Sequence, residues 1–227
     1  MICDVHRRHF ILTASAGALA GLWTPAAMAQ LAGKAQAAAA RPQQVILVLG
    51  DSLSAEYGLA RGTGWVALLE KRLAQEKIAA TVVNASVSGE TTSGGRSRLA
   101  ALLAQHRPSQ VVIELGGNDA LRGLPLKNTE ENLSWMVQTA QKAGAKVLLV
   151  GIQVPPNYGA DYTRRFAATF AAVAKAHKVG LVPFFLKGVA DGPDPTRLFQ
   201  PDRIHPRAEA HPQMLANVWP ELQKLLR

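Results

Sequence analysis

The 227-residue sequence holds one cysteine, Cys3. It lies in a leader-like segment of about thirty residues, so the remainder of the chain has no thiol. Disulfides, a cysteine nucleophile and a thiolate metal site are thereby excluded from the body. Cys3 also precedes the apolar part of the leader, so it is no lipid-attachment site. Aromatic residues are scarce, at 6%, which argues against the aromatic platforms of a sugar-binding cleft. Charged residues make up 18% and carry a net +9, yet no run of Lys or Arg exceeds two. A dispersed positive charge of this kind does not indicate a nucleic-acid partner, although it allows peripheral contact with anionic lipid. The body lacks any uncharged apolar run of about 18 residues, so no membrane-spanning helix is expected. There is no Gly-x-Gly-x-x-Gly, no phosphate-loop lysine and no cluster with metal-ligand spacing. No cofactor and no metal are expected.

The leader has three parts. Arg7-Arg8 precedes the apolar stretch Phe10 to Trp23, and Ala27-Met28-Ala29 follows as a small-x-small cleavage site. This is the order of a bacterial export signal, twin-arginine-like or Sec, spanning residues 1–29. Residues 30–43, rich in Ala and Gln, read as a flexible tether. Residues 44–227 then read as one domain, monomeric and periplasmic or secreted.

That domain alternates strand-type and helix-type segments. Strands are expected at Val45–Leu49, Thr81–Asn84, Val111–Leu115, Lys146–Val150 and Leu181–Phe184. Helices are expected at Trp65–Leu73, Arg96–His106, Glu130–Lys142 and Tyr162–His177, and at Glu209–Leu226 with interruptions near Pro212 and Pro220. Five strand–helix repeats indicate a parallel sheet with helices on both faces. Continuous rather than alternating apolar strands fit burial on both sides. Ligands of such folds bind beyond the carboxyl ends of the strands.

Short polar segments stand at those ends. Gly50-Asp51-Ser52-Leu53-Ser54 follows the first strand and Asn84 to Gly89 the second. Gly116-Gly117-Asn118-Asp119 follows the third, and Asp202-Arg203-Ile204-His205-Pro206 precedes the last helix. Together they supply the inventory of acyl transfer. Ser52 is the expected nucleophile and His205 the base that activates it and then protonates the leaving group. Asp202, three residues before His205, can reach the other ring nitrogen and fix the tautomer. The N–H groups of Ser52 and Gly89, with the Asn118 carboxamide, are the expected oxyanion donors. Asp51 and Asp119 read as supports of the loop backbones. His106, His177 and His211 read as solvated helix residues without a role.

These segments, taken as a set, resemble the conserved blocks of the SGNH (GDSL) hydrolase family. Leu115 to Gly123, Val154-Pro-Pro-Asn-Tyr-Gly159 and Leu181 to Phe185 further resemble its branch of bacterial periplasmic thioesterases, lysophospholipases and arylesterases. The resemblance implies a three-layer α/β/α flavodoxin-like sandwich with a five-stranded parallel sheet. It also implies the same roles for Ser52, Gly89, Asn118, Asp202 and His205. By the same resemblance Ala120, Leu121, Leu124, Pro156 and Tyr158 would line an acyl channel. The Gly-x-Ser-x-Gly elbow of other serine hydrolases is absent, so its strained turn is not expected. Arg203 replaces a glycine common in that branch and puts a long cation beside the expected site.

The expected activity is therefore hydrolysis of small-molecule carboxylic esters, thioesters or lysophospholipids through an acyl-Ser52 intermediate. Two other readings stay open at this point. One is polysaccharide O-deacetylation, which the same family also performs. The other is a non-catalytic periplasmic binding protein, which would need no Ser52–His205 pair.

Overall fold

The computed structural model describes residues 44–227. The expected export signal (1–29) and tether (30–43) lie outside the described residues. Five strands form the sheet: β1 Gln44–Gly50, β2 Ala80–Asn84, β3 Gln110–Glu114, β4 Lys146–Val150 and β5 Gly180–Val182. All pairings are parallel and the order is β2-β1-β3-β4-β5. This is the flavodoxin-like order, with its switch point between β1 and β3.

The helices are α1 Trp65–Gln75, α2 Thr92–His106, α3 Gly117–Leu121, α4 Leu126–Lys142, α5 Ala160–His177 and α6 His211–Leu225. α1 packs with α6, and α4 packs with α2 and α5. The two groups cover the two faces and give the three layers. β3, at the centre, is buried throughout for this reason: its Val111, Val112 and Ile113 have no exposed surface. β2 lies at an edge and is only partly buried.

Several elements differ from the sequence expectation. α2 begins four residues earlier, because Thr91 caps it by accepting the Gly94 N–H. Its Gly94 and Gly95 depress helix propensity, but a Cβ on Gly95 would stand 2.3 Å from Leu115 Cδ1, so packing requires glycine there. Gly117–Leu121 is a short helix additional to those expected. Pro220 lies within α6 and does not end it, and Pro212 sits in its first turn, where its missing N–H is tolerated. Gly144, at φ +85°, follows α4 and stops it.

Candidate active site

The first polar loop leaves β1 at Gly50, beside the carboxyl end of β3. Ser52 Oγ lies 2.9 Å from His205 Nε2, and His205 Nδ1 lies 2.7 Å from Asp202 Oδ2. With Nδ1–H donating to Asp202, the bare Nε2 accepts the hydroxyl proton of Ser52. Asp202 and His205 share one turn. It is bracketed by the antiparallel bridge Phe199–Pro206 and closed by Gln200 N–H donating to His205 C=O at 2.7 Å. Asp202 Oδ1 accepts the N–H groups of Ile204 (2.9 Å) and His205 (3.0 Å). Burial works to raise the Asp202 carboxyl. The hydrogen bonds from the His205 ring and from these two N–H groups outweigh it and hold the carboxyl at about 2, below the ordinary 3.8.

The sign of that shift sets an acid-side expectation. A depressed carboxyl contributes stability above its unfolded value and loses it as pH falls through about 2. Asp202 thus stays ionised throughout the weakly acidic range and sets no limit on activity there.

Arg203 occupies the left-handed region at φ 58°. A side chain costs about 1–2 kcal/mol there, and glycine costs little. Arg203→Gly is expected to raise Tm by about 2–4 °C, after allowing for the looser unfolded chain. Turnover of an uncharged aryl ester should stay within a few-fold. A lower Tm would mean that the Arg203 side chain stabilises the turn.

The second loop returns to the first through Val87 N–H donating to Gly50 C=O and Asn84 Nδ2 donating to Ser54 C=O. Glu90 N–H closes a turn onto Val87 C=O, with Gly89 at φ +77°, the position that demands glycine in a type II turn. Arg122 donates to the Gly89 carbonyl at 2.8 Å and so holds that peptide. Among the described residues, no acceptor takes the backbone N–H of Ser52 or of Gly89. Asn118 stands on α3, and its Nδ2 donates to Asp51 Oδ2 at 3.0 Å. Asp51 also accepts the Leu53 N–H, and Asp119 accepts the N–H and hydroxyl of Thr92. Both therefore act as loop supports.

The remaining expected site residues divide. Leu121 is exposed, and Leu124 is half-buried with its N–H on Asp119 C=O. Tyr158 packs against the core and stacks on Tyr162 at 6.1 Å between centroids. Pro156 opens a 3-10 turn, and its side chain lies outside the described part.

Sequence reasoning missed four residues. The Tyr57 ring lies 4.3 Å from that of His205. Glu114 is buried and accepts the Ser54 hydroxyl of the first loop, and Arg122 grips the Gly89 peptide. His211, expected to be solvated, is 2% exposed; its Nδ1 accepts the Trp65 N–H at 3.0 Å, which ties α6 to the start of α1. Burial pushes its imidazole below the ordinary 6.5, against the opposing pull of the Pro206 carbonyl. The largest exposed apolar side chains among the described residues are Tyr57, Val87, Leu121 and Ile204. Val87 and Ile204 belong to two of the four polar segments, and Tyr57 and Leu121 lie within three residues after the other two.

The profile of the GDSL-like lipase/acylhydrolase family matches residues 48–212. Esterase TesA of Pseudomonas aeruginosa is 54% identical over 183 residues, covering 81% of this chain and 90% of its own. Thioesterase 1/protease 1/lysophospholipase L1 of Escherichia coli K12 is 42% identical over 181 residues, covering 80% and 84%. The crystal structure of the psychrotrophic esterase EstA from Pseudoalteromonas sp., inhibited by monoethylphosphonate, superposes with a TM-score of 0.75 at 40% identity, covering 81% and 98%. No helix among the described residues is long and apolar enough to cross a membrane. With this match, these relatives and a flavodoxin-like sheet carrying its polar loops at one end, the chain belongs to the GDSL-like lipase/acylhydrolase family and is an ester-cleaving hydrolase.

Proposed function

We propose that the chain is an exported serine hydrolase that cleaves apolar carboxylic esters and thioesters through an acyl-Ser52 intermediate. The observation that carries this reading is the chain of contacts from Ser52 through His205 to Asp202, at 2.9 and 2.7 Å. Ser52 Oγ attacks the carbonyl carbon while its proton passes to His205 Nε2. The carbonyl oxygen becomes an oxyanion facing the N–H groups of Ser52 and Gly89 and the free hydrogen of the Asn118 carboxamide. When the tetrahedral adduct collapses, the imidazolium gives its proton to the departing alkoxide or thiolate. Water then repeats the sequence on the acyl-enzyme, losing its proton to His205, and releases the acid and Ser52. The Tyr57 ring faces the imidazole, where it can stabilise the transient cation.

The apolar rim of Tyr57, Val87, Leu121 and Ile204 supports an acyl or aryl substrate and contact with a lipid surface. Leu124, Pro156 and Tyr158 complete the proposed acyl-binding side. The sequence of residues 1–29 supports export. A panel of p-nitrophenyl esters and acyl-CoAs of rising chain length tests the substrate class. Rates that rise from acetate to medium chains are expected, and a strict acetate preference would favour deacetylation instead. The esterase EstA is described as inhibited by monoethylphosphonate, so labelling of Ser52 by a fluorophosphonate is expected here.

Asn118→Ala separates oxyanion donation from a purely local role. A donor that strengthens its bond only at the tetrahedral stage affects kcat and not KM. Loss of one such donor costs about 10²–10³ in kcat. The variant is expected in that range with KM little changed. A kcat within a few-fold of wild type would remove Asn118 from the oxyanion hole.

A further inference from the structure

Two carboxyl groups are buried together under the nucleophile loop. Asp51 and Glu114 are each 2% exposed, and they leave the carboxyl ends of the paired strands β1 and β3, where Gly50 is in register with Glu114. Glu114 Oε2 accepts the Ser54 hydroxyl at 2.7 Å and the Asp51 N–H at 3.4 Å. The Ser54 oxygen itself accepts the Trp65 indole N–H at 3.0 Å. Its single proton is thereby directed to Glu114, which makes Oε2 an acceptor. A Cβ on Gly50 would stand 2.8 Å from Oε2 and 2.7 Å from Ser54 Oγ, so glycine at this position closes the backbone over the pair.

On the other side, Asp51 Oδ1 accepts the Leu53 N–H and Oδ2 accepts one hydrogen of the Asn118 carboxamide. A carboxamide has two such hydrogens. Anchoring the first sets the direction of the second.

We propose that Glu114 is a positioning residue of the oxyanion hole: held neutral, it donates to Asp51 and keeps that carboxylate aligned on the Asn118 carboxamide. The proposal rests on the oxyanion role of Asn118 proposed above. Two adjacent buried carboxyl groups do not both ionise. Burial, reinforced by the Asp51 charge, pushes the Glu114 carboxyl well above its ordinary 4.5. Burial raises Asp51 to about 6, opposed by the Leu53 N–H, the charge of His205 and the Asn118 amide. The proton accordingly rests on Glu114, whose carboxyl is pushed up by burial and by the Asp51 charge together. Asp51, with His205 behind it, is the charged neighbour; Ser54, Trp65 and Asn118 are uncharged.

The sign of the linkage follows from a raised carboxyl. Its stabilising contribution is complete below the ordinary 4.5 and is lost as pH rises through the raised value. Glu114→Gln keeps the shape, the acceptor and a donor, and cannot ionise. It is expected to hold kcat within about threefold at neutral pH, and to lose less Tm and less kcat than wild type as pH is raised to about 9. Equal alkaline losses in both proteins would overturn the neutral-acid role.

Glu114→Leu fills the space without donor or acceptor. It is expected to lower kcat about 10- to 100-fold with KM within about twofold, part of the effect of losing a whole oxyanion donor. The double variant Glu114→Leu/Asn118→Ala should then be no slower than Asn118→Ala alone, because both act through one group. Multiplying losses in the double variant would overturn the positioning role while leaving Asn118 in place. An active Asn118→Ala would instead sink the oxyanion reading itself. If the leucine variant does not fold, Asp51→Asn supplies the same cycle, and the pH comparison on Glu114→Gln stands alone.

Discussion

Ser52→Ala is expected to lower kcat by about 10⁶, the loss seen when a serine nucleophile is removed from a working triad. Labelling by a fluorophosphonate should vanish with it. The fold should remain, for reasons the geometry makes specific. Among the described residues, the Ser52 hydroxyl hydrogen-bonds only to His205 Nε2, at 2.9 Å. The loop is held instead by Asp51 accepting the Leu53 N–H, by Ser54 on Glu114 and by Asn84 on the Ser54 carbonyl. None of these bonds uses the Ser52 side chain. One net hydrogen bond is worth about 1 kcal/mol, so Tm should fall by no more than about 2–4 °C. Retained turnover in a folded Ser52→Ala protein would remove the acyl-enzyme mechanism.

Asp202→Asn is expected to cost about 10⁴ in kcat, the loss found when the acid of such a triad becomes an amide. The substitution preserves size and leaves an oxygen to accept the Ile204 and His205 N–H groups, so the turn persists. It places an NH₂ where Oδ2 lay, 2.7 Å from Nδ1. Two donors cannot face each other, so Nδ1 becomes the acceptor and the ring proton moves to Nε2. That nitrogen can then no longer take the Ser52 proton. If Asp202 served only to cap the turn, the asparagine would do as well and kcat would stay within a few-fold. A pH profile adds a second check. In the wild type Asp202 is held at about 2 and contributes nothing to the acid limb above pH 4. The variant should be slow at neutral pH, where Asp202 is fully ionised in the wild type.

Much of the architecture is legible in the sequence because the central strands are buried on both faces. Val-Ile-Leu-Val-Leu and Val-Leu-Leu-Val need no alternation and stand out as unbroken apolar runs. The loops that carry Ser52, Asn118 and His205 are legible because they combine hydroxyl, amide and imidazole at strand ends. α3 is not, since Gly-Gly-Asn-Asp has poor helix propensity. Its geometry comes from outside, through Asp119 bound to Thr92 and Thr129. His211 had a signal that went unread. It begins the spacing His211, Met214, Leu215, Val218, Leu222, the buried stripe of α6, and a polar residue on such a stripe is buried with it. Glu114 had one too, as a lone carboxylate inside Val-Val-Ile-Glu-Leu. Tyr57 had none, because its contact with His205 spans parts of the chain that only the folded loops bring together.

The turn that carries Asp202 and His205 has an evolutionary consequence. Asp202 and His205 are joined within four residues by two hydrogen bonds of their own, and Asp202 takes a third from Ile204 between them. They are inherited as one cassette, and their mutual geometry needs no help from the sheet. Insertions or deletions between β5 and Gln200 would move both groups together and leave the dyad whole. Only the single span to Ser52 would have to be recovered. Lineages of this fold can therefore remodel the segment before the turn without reinventing the proposed catalytic pair.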